Sequence, residues 1–131
     1  MKKKRLSDAP YALERVWRVM VGDTLAGVVG LSLEQREKLR HKAHVFGMFV
    51  AAEFRQRGLG GALLAAALKQ ARSQSGVEIV QLTVTQGNCS AQTLYQRHGF
   101  VEFGLEPLAV AVAGGFVAKS HMWCRLNSWA G

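Results

Sequence analysis

One short segment restricts this chain more than any other. Residues 55–61 read Arg55-Gln56-Arg57-Gly58-Leu59-Gly60-Gly61. An apolar run at residues 43–50 stands before it, and Leu63, Leu64, Ala67, Leu68 and Ala71 recur after it at helical spacing. A strand ending near Val50 must therefore pass through a glycine turn into a helix. Glycine lets the backbone bend tightly and approach a ligand closely. The first N–H groups of a helix have no intrahelical acceptor and lie at the positive end of its dipole. Such a start holds phosphate, and Arg55 and Arg57 add full charges nearby. No Gly-Lys-Ser/Thr follows, so this is not a Walker loop. The spacing is not Gly-x-Gly-x-x-Gly either, and no early strand–helix–strand unit surrounds it.

Periodicity arranges the rest of the chain around this turn. Residues 11–21, with Val16, Trp17, Val19 and Val21, alternate weakly and predict a strand. Gly22-Asp23 marks a turn, and residues 25–33 predict the returning strand of a hairpin. Residues 34–42 are densely charged; they suit a helical turn or an exposed loop and are expected as a loop. Residues 43–50 predict a strand covered on both faces. The helix that starts at the glycine turn stops at Ser75-Gly76. Residues 77–85, with Ile79, Val80, Leu82 and Val84, predict a second buried strand. Asn88 suits the N-cap of a short helix running to His98, and Gly99 suits its end. Residues 100–103 predict a short strand, and residues 108–112 extend it or form an irregular edge. After Gly114-Gly115, residues 116–126 predict the last strand. The expected order is ββββαβαββ or close to it. Helices between central strands imply parallel neighbours there, with antiparallel hairpins at the ends. The fold class is α/β, a mixed central β-sheet with helices on its faces.

Size and charge narrow the function. The 131 residues suit one domain with one core, spanning residues 1–131. Residues 1–10 are expected as a flexible basic terminus. No apolar run is long and uncharged enough to span a bilayer, and no apolar signal core follows Lys2-Lys3-Lys4-Arg5. A cytoplasmic protein without a membrane partner is expected. Cys89 and Cys124 form no Cys-x-x-Cys pair and have too few ligand candidates at metal spacing, so reduced thiols and no metal are expected. The formal charge of +8 attracts polyanions, either nucleic acid or a phosphorylated cofactor. The aromatic residues do not interleave with basic ones as a base-stacking surface requires, so nucleic acid is not favoured.

A second constellation lies about thirty residues after the turn. Asn88-Cys89-Ser90-Ala91-Gln92-Thr93-Leu94-Tyr95 leads to Gly99-Phe100, again after a strand. From about Trp17 to Leu126 the chain resembles the GNAT superfamily of N-acetyltransferases. Arg55-x-x-Gly58-x-Gly60 is similar to that family's pantetheine and pyrophosphate loop. Asn88-x-x-Ala91-x-x-Leu94-Tyr95 with Gly99-Phe100 is similar to its second signature. Both motifs in this order, each after a strand, are far more specific than either alone.

The resemblance implies a GNAT-like fold, acetyl-CoA as acetyl donor and CoA as product. Backbone amides of Arg57, Gly58, Leu59, Gly60 and Gly61, with Arg55 and Gln56 beside them, are then expected to hold the pyrophosphate. Met48, Phe49 and Val50 are expected to pair through their main chain with pantetheine, as an added strand would. Asn88 is expected to hydrogen-bond the cofactor arm. Tyr95, near the sulfur, is expected to protonate the leaving thiolate, since a tyrosine begins protonated at neutral pH. A main-chain N–H at the end of strand 43–50 is expected to serve the oxyanion.

The base remains open at this level. In several GNAT families it lies eleven residues before the loop's first residue, which here is His44. Histidine titrates near neutrality and suits the task. Glu53 is a further candidate, and water alone is the third. A covalent route through Cys89 is not expected, and Cys124 reads as core. Met122, Trp123 and Trp129 are expected as core, or as lining of an acceptor pocket or interface.

The chain departs from the family in having only about ten residues before Tyr11, where GNAT domains usually carry a strand and two helices. A minimal domain of this kind is expected to complete itself as a homodimer, through a sheet edge or the last strand. Lys119-Ser120 replaces acidic residues found after the glycine turn in one group of the superfamily. The expected acceptor is a primary amine on a small molecule or peptide, attacked directly in a ternary complex. The alternatives are an RNA-linked amine and a non-catalytic CoA-binding module.

Overall fold

Strands here bury every second side chain, and the buried half builds one face. In the computed structural model, which describes residues 12–126, β2 (Thr24–Glu34) buries Val29, Leu31 and Leu33. β3 (Lys42–Val50) adds Ala43 and Val45, and β4 (Ile79–Thr85) adds Val80, Leu82 and Val84. β6 (Gly115–Arg125) contributes Ser120, Met122 and Cys124. Register places these side chains opposite one another: Leu31 beside Val45, Ala43 beside Val80, and Leu82 beside Met122.

Two helices cover that face. α1 (Leu59–Ser73) turns Leu63, Leu64, Ala67, Leu68 and Ala71 onto it, the stripe read from the sequence. Burying each leucine is worth about 2 kcal/mol. α2 (Cys89–Arg97) adds Tyr95, and Phe100 closes the layer behind it. The helices touch where α1 begins, and there space is tight. A Cβ on Gly60 would lie 3.3 Å from Leu94. The opposite face of the sheet carries no helix among the described residues.

β1 (Ala12–Val21) and β5 (Val101–Val112) complete a six-stranded sheet in the order β1-β2-β3-β4-β6-β5. Only β3 and β4 are parallel, joined by α1; every other pair is antiparallel. The mixed α/β sheet expected from the pattern is therefore the fold. Three strands precede α1, where the expected order counted four. Residues 34–42 are not wholly loop: the end of β2 runs to Glu34, and a 3-10 turn forms at Glu37–Leu39. The last apolar segments differ more. Residues 101–112 form one strand whose register slips twice against β6, with Leu108 in a left-handed conformation after Pro107.

The parallel pair is short. Lys42, Ala43 and His44 pair with Ile79, Val80 and Gln81, and there the two strands part. Beyond this point β3 carries an extra residue against β2, between the Gly30–Phe46 and Val28–Phe49 pairs. Gly47 occupies this bulge at φ 66°, a conformation that favours glycine. A bulge bends its strand. The result is a wedge in the sheet between β3 and β4, facing the start of α1.

No helix among the described residues is long and apolar enough to cross a membrane. No group of three or more His, Cys, Asp or Glu among them is placed to hold a metal ion. The basic residues 1–10 and Trp129 lie outside the described residues.

Candidate functional site

The glycine turn leaves its backbone donors free. Among the described residues, no backbone carbonyl accepts from the amides of residues 56–61; the next amide, of Ala62, returns to the Gly58 carbonyl at 3.0 Å. Gly58 caps α1 at φ 78° and Gln56 also lies in the left-handed region, at φ 65°. Left-handed residues in a turn let successive N–H groups converge on one anion. Gln56 departs from ordinary backbone with no glycine to ease it. Such strain gathers at ligand-holding loops.

The arginines are partly committed. Arg55 Nε donates to the Val50 carbonyl at 3.0 Å, which ties the turn to the end of β3. The Arg57 guanidinium lies 5.6 Å from the centre of the Phe54 ring, a cation–π contact that orders the side chain. Both remain exposed at the helix start. Glu53 stands exposed in the 3-10 turn at Ala52–Phe54.

Beside the turn, residues 45–50 of β3 pair with β2 but with no strand on their other edge. Met48 and Val50 pack against the core, whereas Phe49 is exposed. Main-chain groups on that edge are open to an extended ligand. Asn88 uses its Oδ1 at the head of α2, accepting from the Ala91 amide at 3.3 Å and the Ser90 hydroxyl at 3.4 Å. Its Nδ2 hydrogens face no acceptor among the described residues. Tyr95 is buried, its ring edge-on to Phe100 at 5.9 Å. Its hydroxyl has no hydrogen-bond partner among the described residues, an unusual state for a buried tyrosine. Burial raises its pKa above the ordinary 10.0, so the hydroxyl stays protonated.

A cavity of about 260 Å³ opens where β3 and β4 part. His44, Val45, Gln81, Leu82, Thr83, Phe103 and His121 line it. His44, Gln81, Thr83 and His121 alternate with core residues along their strands, so they belong to the face without helices. Desolvation by burial lowers the His44 pKa below 6.5; Glu34 opposes that shift and Lys42 adds to it. His44 is therefore neutral at pH 7.

His44 and Tyr95 do not share a wall. Tyr95 lies in the helix-covered core and His44 on the opposite face. Met122 is core, Trp123 lies on the open face without lining the cavity, and Cys89 is exposed at the head of α2. Burial first of all holds the Cys124 thiol up at about 11, with Arg72 and a backbone hydrogen bond opposing.

Sequence reasoning missed His121, Glu106 and Phe103. His121 Nε2 lies 2.8 Å from Glu106 Oε1, and its ring packs edge-on to Phe103 at 6.1 Å. These residues come from a hairpin whose register slips, so spacing alone could not pair them.

The profile of the Acetyltransferase (GNAT) family matches residues 3–100. An N-alpha-acetyltransferase of Sulfurisphaera tokodaii is 37% identical over 71 residues, covering 54% of this chain and 42% of that protein. An L-amino acid N-acetyltransferase of Escherichia coli is 28% identical over 100 residues, covering 76% and 60%. The chain thus spans about half the length of the curated relatives it matches. Among solved structures, a GNAT-family acetyltransferase from Streptococcus pneumoniae superposes with a TM-score of 0.78 at 28% identity, covering 86% of this chain and 67% of that one.

Proposed function

This chain belongs to the GNAT acetyltransferase family, and from that membership we propose that it transfers the acetyl group of acetyl-CoA to a primary amine of a small molecule or peptide. One observation carries the reading: amides at the start of α1 that no backbone carbonyl among the described residues engages lie beside a wedge, and the cavity there is lined by His44, Gln81, Thr83 and His121 among apolar side chains. Acetyl-CoA supplies an activated acyl thioester when bound.

The chain's own residues then divide the work. Amides of residues 56–61 bind the pyrophosphate, with Arg55 and Arg57 adding charge. Residues 48–50 hold pantetheine along the open edge of β3, and Asn88 Nδ2 steadies the arm. The amine enters through the cavity on the open face. A main-chain N–H at the end of β3 stabilises the developing oxyanion. Tyr95 Oη–H, protonated and without another partner among the described residues, donates to the departing sulfur. Proximity of the two substrates supplies much of the remaining acceleration. The domain acts as a homodimer through the β5 edge, where Val101, Phe103 and Leu105 are exposed.

Calorimetric titration with acetyl-CoA, and with CoA alongside, tests the cofactor site. We expect saturable binding that weakens at least tenfold in a Gly58→Ala/Gly60→Ala variant that still folds. Absence of binding to the folded protein would sink the proposal. Binding without acetylation of free L-amino acids or of a peptide with a free N-terminus would favour a non-catalytic CoA-binding module.

A further inference from the structure

We propose that His121, held by Glu106, is the general base that takes a proton from the acceptor ammonium. The inference rests on the acetyl-transfer reading and names a residue for a step that reading leaves unassigned. Two histidines face the cavity, and they are not equivalent. His44 has no hydrogen-bond partner among the described residues, and the structure holds it neutral by desolvation. A desolvated imidazole accepts a proton less readily. His121 has a carboxylate on Nε2 at 2.8 Å and a ring on its flank. A carboxylate there selects the tautomer with the proton on Nε2 and stabilises the imidazolium that forms later. The lone pair is then on Nδ1, which bonds to no group among the described residues.

The surroundings fit a cationic acceptor. On the strands around His121 the charged and titratable groups are Glu106 and Glu102 of β5, Lys119 of β6, His44 and Lys42 of β3, and Glu34 of β2. Gln81 and Thr83 of β4 are uncharged. Glu102 turns to the core face, where it accepts the Ser120 hydroxyl at 2.6 Å. Glu106 stays half exposed at 52%. It stands on the face of His121, opposite Lys119 in the register, and with Glu34 near His44 it offers that face a carboxylate to attract an ammonium group.

Proton accounting closes. The ammonium must lose two protons to become an amide nitrogen. His121 Nδ1 takes the first, which frees the nitrogen lone pair, and releases it to solvent. The C–N bond forms as the C–S bond breaks. The departing sulfur takes a proton from Tyr95, which regains the second proton shed by nitrogen.

The test has two arms on the full chain. In the first, nitrogen-detected NMR of the imidazoles follows His121 in the wild type and in Glu106→Gln, without substrate. We expect the Nε2–H tautomer to dominate in the wild type and to lose that dominance in the variant. An unchanged tautomer ratio would overturn the dyad. In the second, His121→Gln and His44→Gln are assayed for acetylation of L-phenylalanine amide and of a peptide with a free N-terminus, from pH 6 to pH 10. Loss of a positioned base costs roughly 10²–10⁴-fold. We expect a loss of at least roughly 10² at pH 7 in His121→Gln that shrinks as the pH rises and the amine deprotonates itself. Calorimetric acetyl-CoA affinity should not change, and His44→Gln should lose less. A His121→Gln loss below about threefold, or one equal at every pH, would eliminate the base role. If the wild type binds no acetyl-CoA, the acetyl-transfer reading fails instead, and the NMR arm still decides whether the dyad exists.

Discussion

At the residue scale, burial decides which groups keep a proton. Tyr95 and Cys124 are both pushed up by desolvation, so each stays neutral through the physiological range. His44 moves the other way, because burial penalises its cation. That shift has a signed effect on stability. The unfolded chain binds a proton at His44 below about 6.5, while the folded chain resists until a lower pH. Stability is therefore complete above 6.5 and falls as pH drops through the window down to the lowered folded value. Below that window no further loss arises from this group. We expect denaturant titrations of His44→Gln to show a shallower decline in stability across that acid window than the wild type. An identical slope would mean that His44 is not desolvated in solution.

At the element scale, the bent strand β3 is the working part. Its middle is wedged by packing on the open face, where Phe46 lies over Gly30. A Cβ at Gly30 would clash with the edge of the Phe46 ring. Gly30→Ala must displace the ring or the strand, and overpacking of this kind costs about 1–3 kcal/mol. Thermal unfolding of Gly30→Ala should show a midpoint lower by several degrees, and the double variant Gly30→Ala/Phe46→Leu should recover part of it. Little of this was visible in the sequence. The helical stripe of α1, the Asn88 cap and the apolar runs were legible because each is local and periodic. The family motifs were legible because the turn and its helix are contiguous. The bulge at Gly47 was not, because one glycine in an apolar run does not announce a register shift. The 3-10 turn after β2 could not be told from a loop, because dense charge suits both. The pairing of Glu106 with His121 depends on two slips between β5 and β6, and those arise from tertiary packing. The missed half of the site is thus the half built from cross-strand register.

At the scale of the whole molecule, the layers are uneven. One face is roofed by α1 and α2, while the other presents His44, Gln81, Thr83 and His121 to the surroundings. The excess of 17 basic over 9 acidic residues makes the surface attractive to a polyphosphate ligand. The sheet's outer strands carry apolar side chains into the open, including Val16 and Met20 on β1 and Phe103 and Leu105 on β5.

The wedge between β3 and β4 has a thermodynamic consequence. A gap that only the native chain possesses gives a ligand nothing to hold once the chain unfolds, so occupancy and folding are linked. Stabilisation grows as the logarithm of free ligand, reaching about 2.7 kcal/mol at a hundred times Kd. Melting temperature should therefore climb steadily with added acetyl-CoA, and a flat response would show that the wedge takes no ligand. In a cell, the lifetime of such a protein against proteolysis would follow the supply of the proposed acyl donor.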